Sequence, residues 1–566
     1  ARVLGVAAER IDPAQPLVTL GLDSLMAGEL KTAVETALGV PVPLTRLLEE
    51  VGISALAAEL LAEMDLPASA EGDGTAAGTA RLVVARPDEL PLSWSQERLW
   101  FLDVLQPGNA AYNIPLALRI SGPLDAAALG RAIGETVRRH ETLRTVFASV
   151  EGRPVQVVRR AAEWSLPVDD VSGLPAGERE AAARPIAEAE AGAPFDLAAG
   201  PLLRTRLVRL AADDHLLAVV MHHTVRDGWS AGVLLRELAA LYEGAALPPL
   251  PTQYADWAIR QREWTRGETL EAQLAYWRER LAGVATLDIP ADRPRPPVRS
   301  FRGAVHRFAI PADVADAVRA LARAGGATPF MALLAGFDLL LARYSGQDDV
   351  AVGTTVSNRD RAEVAGLIGL FVNTLVLRTA VAPEEGFRAL LGRVRTTALE
   401  AFANGDLPLE RLVEEVQPER DMSRNRLFQV MIAPQNTVLE PVRVGDAVWT
   451  PEPVDAGAAI LDLTLFTWER SGGEITAALE YATDLFEPAT VERMAAHFVE
   501  VLRAAAAEPD RPVAELPILL PAERARLLGE WNATERPYAE RCVHELFGEQ
   551  GARPPDAVAI RFRGAS

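Results

Sequence analysis

The amino-acid sequence predicts a small all-α helical bundle followed by a two-lobed α/β region, and three observations carry that expectation. Residues 1–66 alternate helical apolar patterns with short loops; in ELKTAVETALG (29–39) the apolar positions fall at helical spacing before a stopping Gly39. Residues 67–80, PASAEGDGTAAGTA, hold almost no large apolar side chain, the composition of a flexible tether. Beyond residue 91, strand-like runs such as HLLAVVMHH (215–223) and VAVGTTV (350–356) alternate with long helical patterns such as TPFMALLAGFDLLLARYS (328–345).

Taken in order, these patterns give a helical domain at 1–66, a linker at 67–90, a first lobe at 91–265, a second lobe at 266–517 and a C-terminal segment at 518–566. The division between the lobes falls in the Pro- and Trp-rich stretch 242–303, whose LDIPADRPRP suits a crossover better than one regular element. A length of 566 residues fits roughly three or four folding units at ~100–200 residues each.

Composition narrows the function classes. With 49% hydrophobic and 24% charged residues, most of the chain can bury a core. A formal net charge of -21 works against binding phosphate backbones or anionic bilayers, so neither nucleic acid nor membrane is an expected partner. Cys542 is the single cysteine, which excludes an intrachain disulfide and suits a cytoplasmic setting. No run approaches the ~20 apolar residues that span a bilayer, and no basic-then-apolar leader opens the chain. The ends, ARVLGV and AVAIRFRG, read as cuts through a helical and a strand-like pattern, as in a fragment of a longer protein.

LGLDSLMAGEL (20–30) sets Asp23 and Ser24 immediately before a helical run. Capping of free backbone N–H groups explains both residue types. A phosphodiester on Ser24 would gain from the same position, because exposed N–H groups and the helix dipole favour negative charge there. The segment resembles the acyl and peptidyl carrier protein family, in which the serine of a G-x-D-S-L or similar motif carries a 4′-phosphopantetheine arm. The resemblance implies that cofactor on Ser24, with Asp23 beside it, and a phosphopantetheinyl transferase to install it. Leu22 stands where peptidyl carriers often have a second glycine, which leaves the class of cargo open.

The strongest chemical signal is MHHTVRDGWS (221–230), which follows the buried-strand run LLAVV. Adjacent strand residues point to opposite faces, so His222 and His223 cannot both face one cavity while the strand persists, and one of them is expected to be structural. That geometry, and the lack of H-x-E or H-x-x-x-H spacing nearby, argue against a metal site. Asp227 and Gly228 form a tight turn that would present one imidazole at the mouth of the strand. A carboxylate so placed needs a cation, and the expected partners are Arg139, Arg144 and Arg299.

The motif resembles the H-H-x-x-x-D-G of the condensation-domain family of nonribosomal peptide synthetases, whose fold is like chloramphenicol acetyltransferase. LSWSQERLWF (92–101), YNIP (112–115), RHETLRTVF (139–147), QYADW (253–257), IGLFVNTLVLR (368–378) and RDMSRNRLFQVM (420–431) look like that family's motifs in the family's order. The resemblance implies amide formation, in which the amine of an acceptor aminoacyl thioester attacks a donor thioester. His223 would serve as base or positioner, supported by His222, Asp227 and Gly228. The donor would ride on Ser24, the acceptor would come from a downstream aminoacyl-carrier domain, and upstream synthetase modules would supply the growing chain. The opening block and YNIP look most like the subclass that joins an L- or achiral donor to an L- or achiral acceptor. Residues 519–566 look like the linker and opening strand of an adenylation domain, without its nucleotide motifs.

Two segments depart from the condensation-domain pattern. ANGDLPLERLV (403–413) has Gly405 and Leu409 where Gln and Phe are usual. Arg226 is a permanent cation where relatives commonly carry a small residue. It either points to solvent or a surface acid, or lies in the tunnel near the acceptor side, limiting acceptor size or holding its thioester oxygen. An epimerising relative and a non-catalytic partner-recruiting domain are the alternative functions.

Overall fold

The described strands form three sheets, two of six strands and one of three. The computed structural model describes residues 11–17, 27, 30, 31, 33, 34, 38, 40, 42, 46, 47, 52–64, 84–359, 361–416, 423–425, 427–435, 439–469, 473–537, 540–553, 556–558 and 560–564. Asp23, Ser24 and the tether 67–80 lie outside the described residues. The chain divides into residues 1–518 and 519–566. In the shorter unit the described helices are Pro521–Ala525 and Val543–Ala552, and Cys542 is exposed.

Near the N-terminus, Leu17, Ala27, Val42, Leu47, Leu56 and Leu60 are buried together, and the helix Ile53–Met64 supplies the last two. Leu399 and Phe402, on the helix Phe387–Ala403, pack against this cluster.

The strands in chain order are β1 (Leu90–Pro91), β2 (Asn113–Ser121), β3 (Thr145–Val150), β4 (Arg153–Val158), β5 (Val168–Asp170), β6 (Leu203–Ala211), β7 (Asp214–His222), β8 (Gly303–Ile310), β9 (Asp349–Val356), β10 (Asn373–Ala380), β11 (Val430–Pro434), β12 (Val442–Val444), β13 (Ala447–Glu452), β14 (Leu463–Glu469) and β15 (Ile475–Ala482). The first lobe holds a sheet of order β12-β13-β2-β7-β6-β5 and the second a sheet of order β10-β9-β11-β14-β15-β8, while β1, β4 and β3 form a small third sheet. β7 is buried at every residue except Asp214, as a central strand covered on both faces must be. One face packs on the helices Ala126–Arg139 and Gly228–Tyr242 through Leu129, Ile133, Leu235 and Leu238. The other packs on the helix Ala176–Gly192 through Ala183 and Ala187. In the second lobe the apolar run 328–345 becomes the helix Pro329–Ser345, capped by Thr328 and buried along most of its length.

The lobes are not contiguous in sequence. After β11 the chain leaves the second sheet, adds β12 and β13 to the edge of β2 in the first sheet, with Trp449 opposite Ile120, and returns as β14. The span 266–517 therefore lends residues 442–452 to the first lobe. The returning limb is fixed by Ala459 N–H on Phe301 O at 2.9 Å, Gly303 N–H on Gly457 O at 3.0 Å and the Arg307–Asp455 ion pair at 2.8 Å. Glycine is required at 303, because a Cβ there would meet the backbone of Ala458 and Ala459 at 2.3–2.5 Å. The stretch 242–303, expected to be a crossover and not one regular element, contains two helices, Tyr254–Trp264 and Glu268–Leu281. The first begins where Gln253 and Asp256 cap each other's backbone, and proline is confined to the flanks.

One buried group works against this core. Asp338, in the helix Pro329–Ser345, is fully buried, and neither carboxyl oxygen has a hydrogen-bond partner among the described residues. Burial raises its pKa well above the usual carboxylate value, against a weaker opposing influence from the Thr379 hydroxyl. A raised folded pKa means that the native state prefers the protonated acid, so stability is lost as pH climbs past the ordinary carboxylate range. Asp338→Asn is expected to gain about 1 kcal/mol or more at neutral pH, with the gap widening from pH 5 to 8 in urea melts. A gap that stays flat with pH would contradict this reading.

Candidate active site

The two histidines of MHHTVRDGWS part company because β7 ends between them. His222 is the last strand residue, and His223 opens a short 3₁₀ turn, residues 223–225, while its N–H still donates to Tyr112 O at 2.8 Å. His222 is 3% exposed and sits edge-on to the rings of Tyr112 and Phe195, with centroids 6.4 and 6.0 Å away. Its Nδ1 accepts from Thr224 N–H at 3.3 Å. Burial, helped by the charges of His223 and Arg204, depresses its pKa to about 3, so it stays neutral and packs the site.

His223 is only partly buried, and its Nδ1 lies 2.7 Å from the carbonyl oxygen of Arg226. A carbonyl only accepts, so Nδ1 carries the proton and Nε2 presents its lone pair. Burial lowers the imidazole pKa below the usual value, opposed by the hydrogen bond to Arg226 O. The ring is therefore neutral at neutral pH, and Nε2 has no partner among the described residues.

Asp227 caps the helix Gly228–Tyr242, accepting from Ser230 N–H at 2.9 Å and Ser230 Oγ at 2.6 Å. Its cation is Arg359 of the second lobe, whose Nη2 and Nε reach Oδ1 and Oδ2 at 2.9 and 3.2 Å. The side chains of this pair are 4% and 2% exposed. Phe371 N–H adds a further donor to Oδ2 at 3.2 Å, and Arg359 Nη1 donates to Val364 O and Leu367 O at 2.9 and 2.8 Å. Burial alone would raise the Asp227 pKa, but the charge and hydrogen bonds of Arg359 outweigh it and hold the carboxyl below its ordinary value. Trp229 Nε1–H donates to Ala365 O at 2.8 Å, and Gly369 N–H donates to Ser230 Oγ at 3.1 Å. The motif thus clasps the segment 359–371 of the second lobe.

Arg359 corrects the expectation drawn for Asp227. Arg139 pairs instead with Glu237 at 2.9 Å, and Arg144 donates to Arg159 O and lies 3.6 Å from Glu141. Arg299 donates to Ile460 O at 2.8 Å above the Phe301 ring. The SNRDR segment that carries Arg359 lies 132 residues from Asp227, and no local pattern links them; an arginine in the loop directly after the buried run 350–356 was the available signal.

Arg226 does not reach solvent: it is 4% exposed, and its Nη1 donates to Ile114 O at 3.1 Å. Gly228 faces the second lobe, since a Cβ there would stand 3.4 Å from Gln435 Oε1. The departure at 403–413 is knit into the second lobe, where Asn373 Nδ2 donates to Gly405 O at 2.9 Å and Leu409 is buried. Glu410 of that segment reaches Arg98 of the first lobe at 3.5 Å, a further tie across the seam. No cluster of three or more metal-ligating side chains occurs among the described residues.

A histidine that is neutral, free at Nε2 and set where two mixed sheets exchange strands belongs to acyltransferases built like chloramphenicol acetyltransferase. Comparison with known proteins narrows that class. The condensation-domain family matches residues 86–528, and the phosphopantetheine attachment site family matches residues 1–60. The chain is 41% identical to one of the linear gramicidin synthase proteins of Brevibacillus parabrevis over 99% of its own length and 7% of that protein. It is 42% identical to the phosphinothricin tripeptide synthetase PhsB of Streptomyces viridochromogenes over 96% of its length and 46% of that protein. Among solved structures, the X-domain from teicoplanin biosynthesis superposes with a TM-score of 0.71 at 29% identity, covering 78% of this chain and 100% of that one. The chain spans less than half the length of these two curated relatives. It belongs to the condensation-domain family of nonribosomal peptide synthetases and carries a phosphopantetheine attachment domain ahead of it, so 4′-phosphopantetheine is its covalent cofactor.

Proposed function

We propose that the chain forms a peptide bond by bringing an acyl thioester on Ser24 to the amine of an aminoacyl thioester from a downstream carrier. The observation that supports this reading is the His223 imidazole, neutral and unpartnered at Nε2 where the lobes meet. The phosphopantetheine supplies a thioester, and the chain's own residues do the rest. An α-amino group with a pKa of roughly 7.7–8.0 is already partly neutral at pH 7–8, so a strong base is unnecessary. Holding amine and carbonyl ~3–3.5 Å apart contributes several kcal/mol, and Nε2 orients the amine and takes its proton as the intermediate collapses. The Arg226 carbonyl fixes the tautomer that makes this possible. The linker at 67–90 would let the arm travel, with a reach of roughly 80 Å and a random-coil span of roughly 27 Å.

On this reading the donor and acceptor are L- or achiral residues, a phosphopantetheinyl transferase modifies Ser24, the setting is cytoplasmic, and residues 519–566 lead into an adenylation domain. The test is to load Ser24 with a peptidyl-pantetheine and supply a soluble aminoacyl thioester. Amide should form in a single turnover, and Ser24→Ala should abolish it while a soluble donor thioester is still coupled. α-Proton exchange without amide would replace this reading with an epimerising one. Partner-protein binding with neither reaction would replace it with a recruiting one.

A further inference from the structure

The helix Trp94–Leu105 starts at a capping box, in which Gln96 N–H donates to Ser93 Oγ and Ser93 N–H to Gln96 Oε1, both at 3.1 Å. A glutamate would serve such a box equally well. What distinguishes glutamine is its amide NH2. With Oε1 committed to a donor, Nε2 turns the other way and donates to Thr224 O at 3.0 Å. Glutamine is required at this position because its second partner is a carbonyl, which only accepts.

Thr224 is the middle residue of the 3₁₀ turn 223–225 that opens with His223. Ser93, Gln96 and Thr224 are fully buried, and Gln96 is the one donor to Thr224 O among the described residues. The start of the turn is anchored by His223 N–H on Tyr112 O at 2.8 Å, but the bonds that close it are long: Arg226 N–H to His223 O at 3.4 Å and Thr224 N–H to His222 Nδ1 at 3.3 Å. Arg226 O, the carbonyl that holds Nδ1 of His223, leaves the chain two residues after Thr224. The Gln96 amide therefore grips the backbone between the imidazole and the carbonyl that aims it.

The support continues to the second lobe. Tyr254 Oη lies 2.6 Å from Leu370 O and 2.9 Å from Ser93 Oγ. Because a carbonyl only accepts, the Tyr254 proton goes to Leu370 O, and Ser93 gives its own proton to Tyr254 Oη. Ser93 Oγ keeps a lone pair for Gln96 N–H. Leu370 lies between Gly369 and Phe371, whose N–H groups bind Ser230 and Asp227. Gln96 and Asp227 thus brace the histidine turn from two sides against one segment of the second lobe.

We propose that Gln96 is a positioning residue for the coupling reaction: its amide fixes the turn that aims His223, and Ser93 and Tyr254 hold that amide in place. The inference rests on the condensation reading and adds a residue to its machinery.

Gln96→Met removes the donor and keeps the length of the side chain. In the full chain, modified and loaded at Ser24, this variant is expected to lower kcat for coupling by about tenfold to hundredfold, the cost of a ~1 Å misplacement, while KM for a soluble aminoacyl thioester changes less than about twofold. Thr328→Ala removes a helix cap in the second lobe, controls for lost stability alone, and should couple at close to the native rate. A second readout does not depend on turnover. In nitrogen NMR of histidine-labelled chain, Gln96→Met should mix the Nε2–H tautomer of His223 into the native Nδ1–H form. Tyr254→Phe keeps the ring, takes one hydroxyl from the relay and should shift the same signals to a smaller extent. Native coupling by Gln96→Met would overturn the proposal. So would slow coupling with unaltered His223 signals, which would mark Gln96 as support for the core alone. If Gln96→Met does not fold, unaltered His223 signals in Tyr254→Phe overturn the proposal instead. Absence of amide from the native chain would overturn the condensation reading, and the His223 signals would still decide whether Gln96 aims the ring.

Discussion

Replacing His223 with alanine should slow single-turnover amide formation by about 10²–10⁴-fold, the usual contribution of a positioned acid–base group, while the chain stays folded. The ring is not a core residue, since it keeps accessible surface and makes one side-chain hydrogen bond, to Arg226 O. The loss should fall on kcat, because Nε2 acts on a proton that leaves only as the new bond forms. His222→Ala should do the reverse. It removes a ring packed between Tyr112 and Phe195 and is expected to lower the melting temperature. The pH profile of the native chain separates the groups further. His223 has a pKa below the usual histidine value, so its protonation should not limit the rate between pH 7 and 8, where the rise with pH reports the acceptor amine. A His223→Ala chain that couples at the native rate would remove the imidazole from the mechanism.

The second large effect is expected at the pair Asp227 and Arg359. Truncating either partner leaves the other charged and buried, a loss of about 3–5 kcal/mol, and both single alanine variants should unfold at clearly lower urea concentration than the native chain. The double variant should be less destabilised than the sum of the singles, because the stranded charge disappears with its partner. This pair ties the first lobe to the second, so its loss should also slow coupling in chains that remain folded. The pH dependence has a definite sign. The Asp227 carboxyl has a folded pKa below its unfolded value, so its contribution is present above about pH 4 and is lost as pH falls through the folded value. The native advantage over Asp227→Asn should therefore shrink in acid. Additive single and double variants, or an advantage that grows in acid, would contradict this account.

The sequence exposes those parts of the fold whose signals are local. Strand β7 and the helix Pro329–Ser345 are legible because apolar runs of strand and helix length mark them, and Thr328 caps the second. The need for one structural histidine follows from strand alternation alone, and β7 ends at the boundary that resolves it. What stays hidden depends on distance. β13 pairs with β2 across more than 300 residues, and six residues of unremarkable alternation do not announce which sheet they will join. The same holds for Arg359. The sequence shows that Asp227 needs a cation but not which arginine supplies it, and arginines nearer in the sequence are drawn to Glu237, Glu141 and backbone carbonyls. Arg226 is legible as an oddity in its motif, but its burial and its hydrogen bond to Ile114 O are not.

The neutral Nδ1–H tautomer of His223 carries the whole account, and nitrogen NMR of histidine-labelled chain reads it directly. The chain has seven histidines, so the His223 signals are identified by their loss in His223→Ala. The account predicts a protonated Nδ1 and a bare Nε2 throughout pH 7–8, unchanged when a non-reactive donor thioester is loaded. A proton on Nε2, or an imidazolium at pH 7, would contradict it.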